Sequence, residues 1–188
     1  MKKIGITGSL ASGKTTASKI LSLGKGPLFN ADLVVQSLYR KSNFRKIISK
    51  KFNIKNNLHI KRFLKEKIRK DKNNIQKLER IVHPIVRKEM YKFIKKNKQK
   101  KFIFLEVPLL IESKLMKLFD IIFFIKAKKR IRLQRFLSKG GKKEIFNILN
   151  KKQLGDNVKM KYSDHVIVNE KKFIVLKKNL LDIFKKYE

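Results

Sequence analysis

Apolar residues in this chain recur with two different periods. Continuous runs at 4–7, 28–29, 101–107, 120–125 and 164–168 are short and bounded by glycine, proline or charged residues. Runs of that kind predict buried strands, and the one carrying Leu105, Glu106 and Val107 suits a central parallel strand covered on both faces. Between the runs, apolar positions fall three and four apart. The spacing predicts a first helix over 16–23. Phe44, Ile47, Ile48 and Phe52 make one helical stripe and Ile60, Phe63, Leu64 and Ile68 a second, with Asn56 and Asn57 separating them. Ile75, Leu78 and Val82 make a third. Pro84 is placed to open a fourth helix at its first position, where a missing N–H is harmless, and that helix would bury Ile85, Met90, Phe93 and Ile94. A basic helix over 128–139 stops at Gly140 and Gly141. Helix resumes over 144–153, with Ile145, Ile148 and Leu149 on one side. Phe173, Leu176, Leu180 and Phe184 mark an amphipathic terminal helix. Alternating strand and helix signals predict an α/β fold, with the helical block after the second strand inserted over one face of the sheet. No internal repeat and no long linker interrupts the pattern.

Composition narrows the class. The 188 residues suit one compact domain with an insertion or two, and 42% hydrophobic residues are enough for a core. No apolar run approaches the ~20 residues that span a bilayer, so no membrane partner is expected. A glycine-rich segment begins almost at the first residue and leaves no room for a signal peptide; the expected location is cytoplasmic. With no cysteine, a disulfide framework, a thiolate metal site and a thiol nucleophile are excluded. The formal net charge of +36 has two readings. One is a nucleic-acid surface whose lysines neutralise backbone phosphates. The other is compositional drift, because the abundant Lys, Asn, Ile and Phe share A- and T-rich codons. The lysines are dispersed along nearly the whole chain and no aromatic-rich binding motif accompanies them, which favours drift. No specific nucleic-acid partner is expected.

Gly8 to Thr15 read G-S-L-A-S-G-K-T, the phosphate-binding pattern G-x-x-x-x-G-K-S/T. A strand signal precedes it and a helix signal follows, the context the motif requires. Gly8 and Gly13 permit close backbone approach, successive N–H groups point into one concavity, and the following helix adds its unpaired donors and positive dipole end. Lys14 is expected to bridge the β- and γ-phosphates of a nucleotide and Thr15 to give a hydroxyl to Mg²⁺. Glu106, at the end of the most apolar strand, stands where magnesium and its waters are steered in such proteins; the other reading is an acid capping a strand–loop junction. Asp32 lies just past the second strand, at the sheet end where ligand groups collect. The basic stretch on its glycine pair reads as a lid that excludes water and brings arginine to the transferring group, or as a solvated basic face. His83 is a lone histidine, a type more often structural or solvated than catalytic.

Together these pieces resemble the dephospho-coenzyme A kinase family over essentially the full length. The family's opening T-G-G-I-G-S-G-K-S corresponds to Thr7 through Thr15, its D-A-D to Asn30-Ala31-Asp32 and its H-P to His83-Pro84. Its hallmark D-V-P-L-L-F-E corresponds to 106–112, its lid pattern R-x-x-x-R to Arg135 and Lys139, and its late glutamine and A-D-x-V-I-x-N to Gln153 and 163–169. The departures are Asn30 for the first acid of D-A-D, Gln36 for an arginine, Glu106 for aspartate, Lys139 for the second lid arginine, and Asp156 where an arginine can follow the glutamine. The resemblance implies a three-layer core of the phosphate-loop NTPase type with a parallel five-stranded sheet. That core takes in about 1–35, 98–128 and 160–188, with a helical coenzyme A-binding insertion over about 36–97 and a lid over about 129–158. It implies transfer of the γ-phosphoryl of ATP, with Mg²⁺, to the ribose 3′-hydroxyl of dephospho-coenzyme A. Asp32 matches the catalytic acid that orients or deprotonates that hydroxyl. Lys14 and Arg135 join it in catalysis, and Ala11, Ser12, Gly13, Lys14, Thr15 and Thr16 match the ATP-binding segment. Asp32, His83, Pro108 and Leu109 are the implied substrate contacts, and Thr15 and Glu106 the metal contacts. Rival readings are a related nucleoside or nucleotide kinase and a basic nucleic-acid-binding NTPase.

Overall fold

The structure, a computed structural model, describes residues 1–55 and 59–188; the expected break at Asn56 and Asn57 lies outside the described residues. Five strands, β1 (Lys2–Gly8), β2 (Leu28–Asn30), β3 (Phe102–Glu106), β4 (Ile121–Lys126) and β5 (His165–Val168), form one sheet in the order β2-β3-β1-β4-β5. Every pairing is parallel. The helices are α1 (Lys14–Ser22), α2 (Ala31–Leu38), α3 (Ser42–Phe52), α4 (Ile60–Lys70), α5 (Asn73–Lys96), α6 (Lys129–Leu137), α7 (Lys143–Lys152), α8 (Asp156–Lys161) and α9 (Phe173–Phe184). The chain divides into two compact units, Met1–Asn30 with Asn97–Glu188, and Ala31–Lys96.

The first unit is the three-layer sheet expected. Alternate strand residues face opposite sides. Ile4, Ile6, Phe104, Phe123 and Ile125 pack against Ala17 and Leu21 of α1 and Leu176, Leu180 and Phe184 of α9. Their buried neighbours Ile103, Leu105, Ile122 and Phe124 serve the other face. There Gly5 leaves room for Leu110 and Phe119; an added Cβ would lie 2.9 Å from each. Burial on both faces is why the strands read as unbroken apolar runs. Phe104 is fully buried and its ring meets those of Phe102 and Phe184 at 6.5 and 5.6 Å. Phe104→Ala is expected to destabilise this unit by about 3–5 kcal/mol, read as the shift of its denaturant midpoint. A shift below 1 kcal/mol would mean the aromatic cluster is dispensable.

The second unit has its own core of Leu38, Phe44, Ile48, Phe52, Ile60, Leu64 and Val82. Tyr39 meets Phe44 edge to face at 5.2 Å, and burial pushes its hydroxyl above the ordinary value. Two expectations need correction here. Ile47 is 50% exposed: Phe44, Ile48 and Phe52, spaced by four, take the inward face of α3 and leave Ile47 on its flank. The third and fourth stripes are one helix, α5, with Pro84 inside it. Pro84 is exposed, on a side of α5 where a carbonyl that loses its N–H partner is open to solvent, so the proline is tolerated inside the helix. The second strand ends at Asn30, and Asp32 lies just past it as expected, in the first turn of α2. Phe173, expected in the terminal apolar stripe, is 59% exposed at the start of α9.

Candidate active site

β1 ends at Gly8 and α1 begins at Lys14, so the glycine loop hangs between the central strand and a helix N-terminus. A Cβ on Gly8 would lie 2.5 Å from the Ile125 carbonyl oxygen of β4, which is why the strand must end on glycine there. Gly13 caps α1 with φ 99°, a left-handed angle that glycine adopts without penalty. The Ser12 N–H donates to the Ser9 carbonyl at 3.1 Å and closes the loop into a concave turn. The first amides of α1 have no acceptor within the helix and border this concavity. Lys14 is buried and bends back, its Nζ donating to the Ser9 carbonyl at 3.0 Å. These features, a concave turn, a helix N-terminus and a buried ammonium, are the kind that bind phosphate groups.

Glu106, 1% exposed, anchors the other side. Its Oε1 accepts from Thr15 Oγ1 at 2.7 Å, and its Oε2 accepts from Ser18 Oγ at 2.9 Å and from Asn30 Nδ2. Two departures from the family pattern meet in this contact: a carboxylate at position 30 would repel Glu106, whereas the Asn30 amide donates to it. Thr15 and Ser18 are three apart on α1, the spacing that puts both hydroxyls on one face.

A second group of side chains, from α6–α8 and from Asn169 just past β5, holds the loop. Arg135 Nη1 and Asn169 Nδ2 both donate to the Ser12 carbonyl, at 3.3 and 2.8 Å. Arg132, 5% exposed, donates through Nε to the Ala127 carbonyl at 3.1 Å. Its Nη1 donates to the Leu10 carbonyl at 3.2 Å and to Asn150 Oδ1 at 2.8 Å. Burial pulls its guanidinium below the ordinary value and the charge of Asp156 opposes that. Gln153 Oε1 accepts from the Leu10 N–H at 2.8 Å, and Asp156 Oδ1 accepts from Ser9 Oγ at 2.5 Å.

The structure therefore brings Ala11, Ser12, Gly13, Lys14, Thr15, Glu106 and Arg135 together. Thr16 is exposed on α1. Pro108 follows β3, its carbonyl accepting from Thr7 Oγ1 at 3.2 Å, and Leu109 is half-buried beside it. Asp32 and His83 belong to the helical unit, both exposed, Asp32 on α2 and His83 on α5. His83 and Pro84 line an open cavity of about 960 Å³ with Arg80, Arg87 and Tyr91. Sequence reasoning gave no role to Ser18, Arg132 or Asn169. The helical spacing from Thr15 pointed to Ser18; nothing in the local pattern pointed to Arg132, a basic residue in a basic helix. Among the described residues, no helix is long and apolar enough to cross a membrane.

The chain is similar in sequence and in fold to known proteins. A model of the family described as dephospho-CoA kinase matches residues 2–174. The dephospho-CoA kinase of Bartonella quintana is 34% identical over 172 residues, 89% of this chain and 88% of that one. That of Fusobacterium nucleatum is 33% identical over 191 residues, 98% of this chain and 94% of that one. In fold, the chain is similar to the solved dephospho-CoA kinase of Campylobacter jejuni, with TM-score 0.64 at 22% identity, covering 100% of this chain and 97% of that one. With its phosphate loop closed on Lys14 and Thr15 and its match running from β1 into α9, the chain belongs to the dephospho-CoA kinase family.

Proposed function

We propose that this protein transfers the γ-phosphoryl group of ATP to the ribose 3′-hydroxyl of dephospho-coenzyme A, giving ADP and coenzyme A in the cytoplasm. The observation that carries this reading is the Lys14–Thr15–Glu106 cradle in a chain that matches the family almost throughout. The acceptor oxygen attacks the γ-phosphorus as the bond to the β-phosphate oxygen breaks, and the Asp32 carboxylate takes the hydroxyl proton. The loop amides and Lys14 hold the phosphate tail and offset charge that develops on the transferring group. Arg135, tethered to the Ser12 carbonyl, adds a delocalised charge at the loop's rim. The helical unit Ala31–Lys96 supplies the surface for the coenzyme A moiety, with His83 on it, and α6–α8 act as the lid.

The residues present fit magnesium. Thr15 Oγ1 donates its proton to Glu106, so its lone pairs remain for a hard cation. No cluster of three or more His, Asp or Glu able to hold a metal occurs among the described residues. That suits an ion bound by one hydroxyl, substrate phosphates and water. When bound it would neutralise charge on the β- and γ-phosphate oxygens. Glu106 is then an orienting partner of the Thr15 ligand, and Glu106→Gln should raise the Mg²⁺ concentration for half-maximal turnover about 10- to 100-fold. An unchanged Mg²⁺ titration would leave Glu106 with a purely structural role.

A coupled assay of ADP release tests the acceptor, with dephospho-coenzyme A, nucleosides and nucleoside monophosphates as the panel. The reading requires dephospho-coenzyme A to be the preferred acceptor. Preference for a nucleoside would transfer the chain to the rival kinase class, and RNA-stimulated ATP hydrolysis would support a nucleic-acid NTPase.

A further inference from the structure

The outer turn of the phosphate loop, Ser9–Leu10–Ala11, is tied down by side chains distant in sequence. Three side chains more than 120 positions away in sequence hold it: Arg132 on the Leu10 carbonyl, Gln153 on the Leu10 N–H and Asp156 on the Ser9 hydroxyl. Arg132 is itself fixed by Asn150 and by the Ala127 carbonyl, and lies over the Phe146 ring at 5.8 Å. Ala11 has φ 60°, the left-handed region in which a Cβ crowds the backbone. Ser9 and Ala11 both stand where the family pattern has glycine. An alanine there relaxes out of that conformation unless its neighbours are pinned, and the loop's binding shape relaxes with it.

We propose that Arg132, Gln153 and Asp156 form a brace that keeps the loop in its nucleotide-binding shape before ATP arrives, and so act as positioning residues. Arg132 lies in α6, Asp156 opens α8 and Gln153 lies between α7 and α8. The brace therefore makes the affinity of the loop depend on how these helices are packed. It rests on the reading that the loop binds ATP, and does not depend on which acceptor is used.

The test measures binding of the β,γ-imido analogue of ATP with Mg²⁺, and KM for each substrate, in full-length protein. Arg132→Met and Asp156→Ala are made alone and with Ala11→Gly. Each single variant is expected to weaken analogue binding about 10-fold, the effect of losing a hydrogen bond to a charged group. KM for ATP should rise in parallel while KM for dephospho-coenzyme A stays within twofold. With glycine at position 11 the loss should shrink to about 3-fold or less, because glycine adopts the left-handed angle unaided. Ser9→Ala, which removes only the hydroxyl, guards against misfolding: it should weaken binding about 3-fold with an unchanged melting temperature. Wild-type affinity in these variants, or a loss that Ala11→Gly does not reduce, overturns the brace and leaves the kinase reading intact. A wild-type protein that fails to bind the analogue overturns both.

Discussion

In the Lys14→Ala variant, turnover with MgATP and dephospho-coenzyme A is expected to fall at least about 10³-fold, the upper range for removing one preorganised donor to a developing negative charge. The expectation follows from where the ammonium is held. Lys14 is 8% exposed and its Nζ is tied to the Ser9 carbonyl at 3.0 Å, so a low-dielectric wall strengthens its interaction with a phosphate. Alanine keeps the start of α1 intact, being the best helix former. The melting temperature should therefore change little while kcat collapses. A kcat within tenfold of wild type would mean that the loop holds a phosphate without taking part in its transfer.

Asp32→Asn should lower kcat by about 10²-fold or more, the range for losing a general base, and leave KM for ATP unchanged. Asp32 lies in the first turn of α2 and is exposed. The amide keeps the shape and most hydrogen-bonding capacity of the carboxylate, but it cannot take a proton. The split between kcat and KM distinguishes a base from a binding residue: if only KM for dephospho-coenzyme A rises, Asp32 positions the acceptor and something else receives its proton.

The two experiments probe different units of the chain, Lys14 in the sheet unit and Asp32 in the helical one. They are therefore separable by simple binding measurements. The Lys14 variant should lose affinity for ATP; the Asp32 variant should retain it.

Much of this arrangement was legible in the residues. The glycine loop, the buried strands and the candidate residues Lys14, Thr15 and Glu106 could be marked because their signals are local: a motif with its flanks, or an apolar run with its boundaries. The placement of Pro84 misled because the rule that favours proline at a helix start is also local. Whether a helix ends there depends on what holds the segments on either side, and here Val82 and Met90 are both buried along one continuous α5. Ile47 was likewise assigned inward by spacing alone, when Phe44 and Ile48 already occupied that face.

By itself, the order of residues determined that this protein has a nucleotide-type phosphate loop at the head of a parallel α/β sheet, since those features are encoded by contiguous residues and their spacing. Only the folded chain decided which distant side chains close around that loop. Glu106 meets Thr15, Ser18 and Asn30, and Arg132, Gln153 and Asp156 meet Ser9 and Leu10. A hydrogen bond between residues a hundred positions apart leaves no periodic trace in the sequence; it depends on parallel strands and helices first bringing the two backbones within a few ångströms.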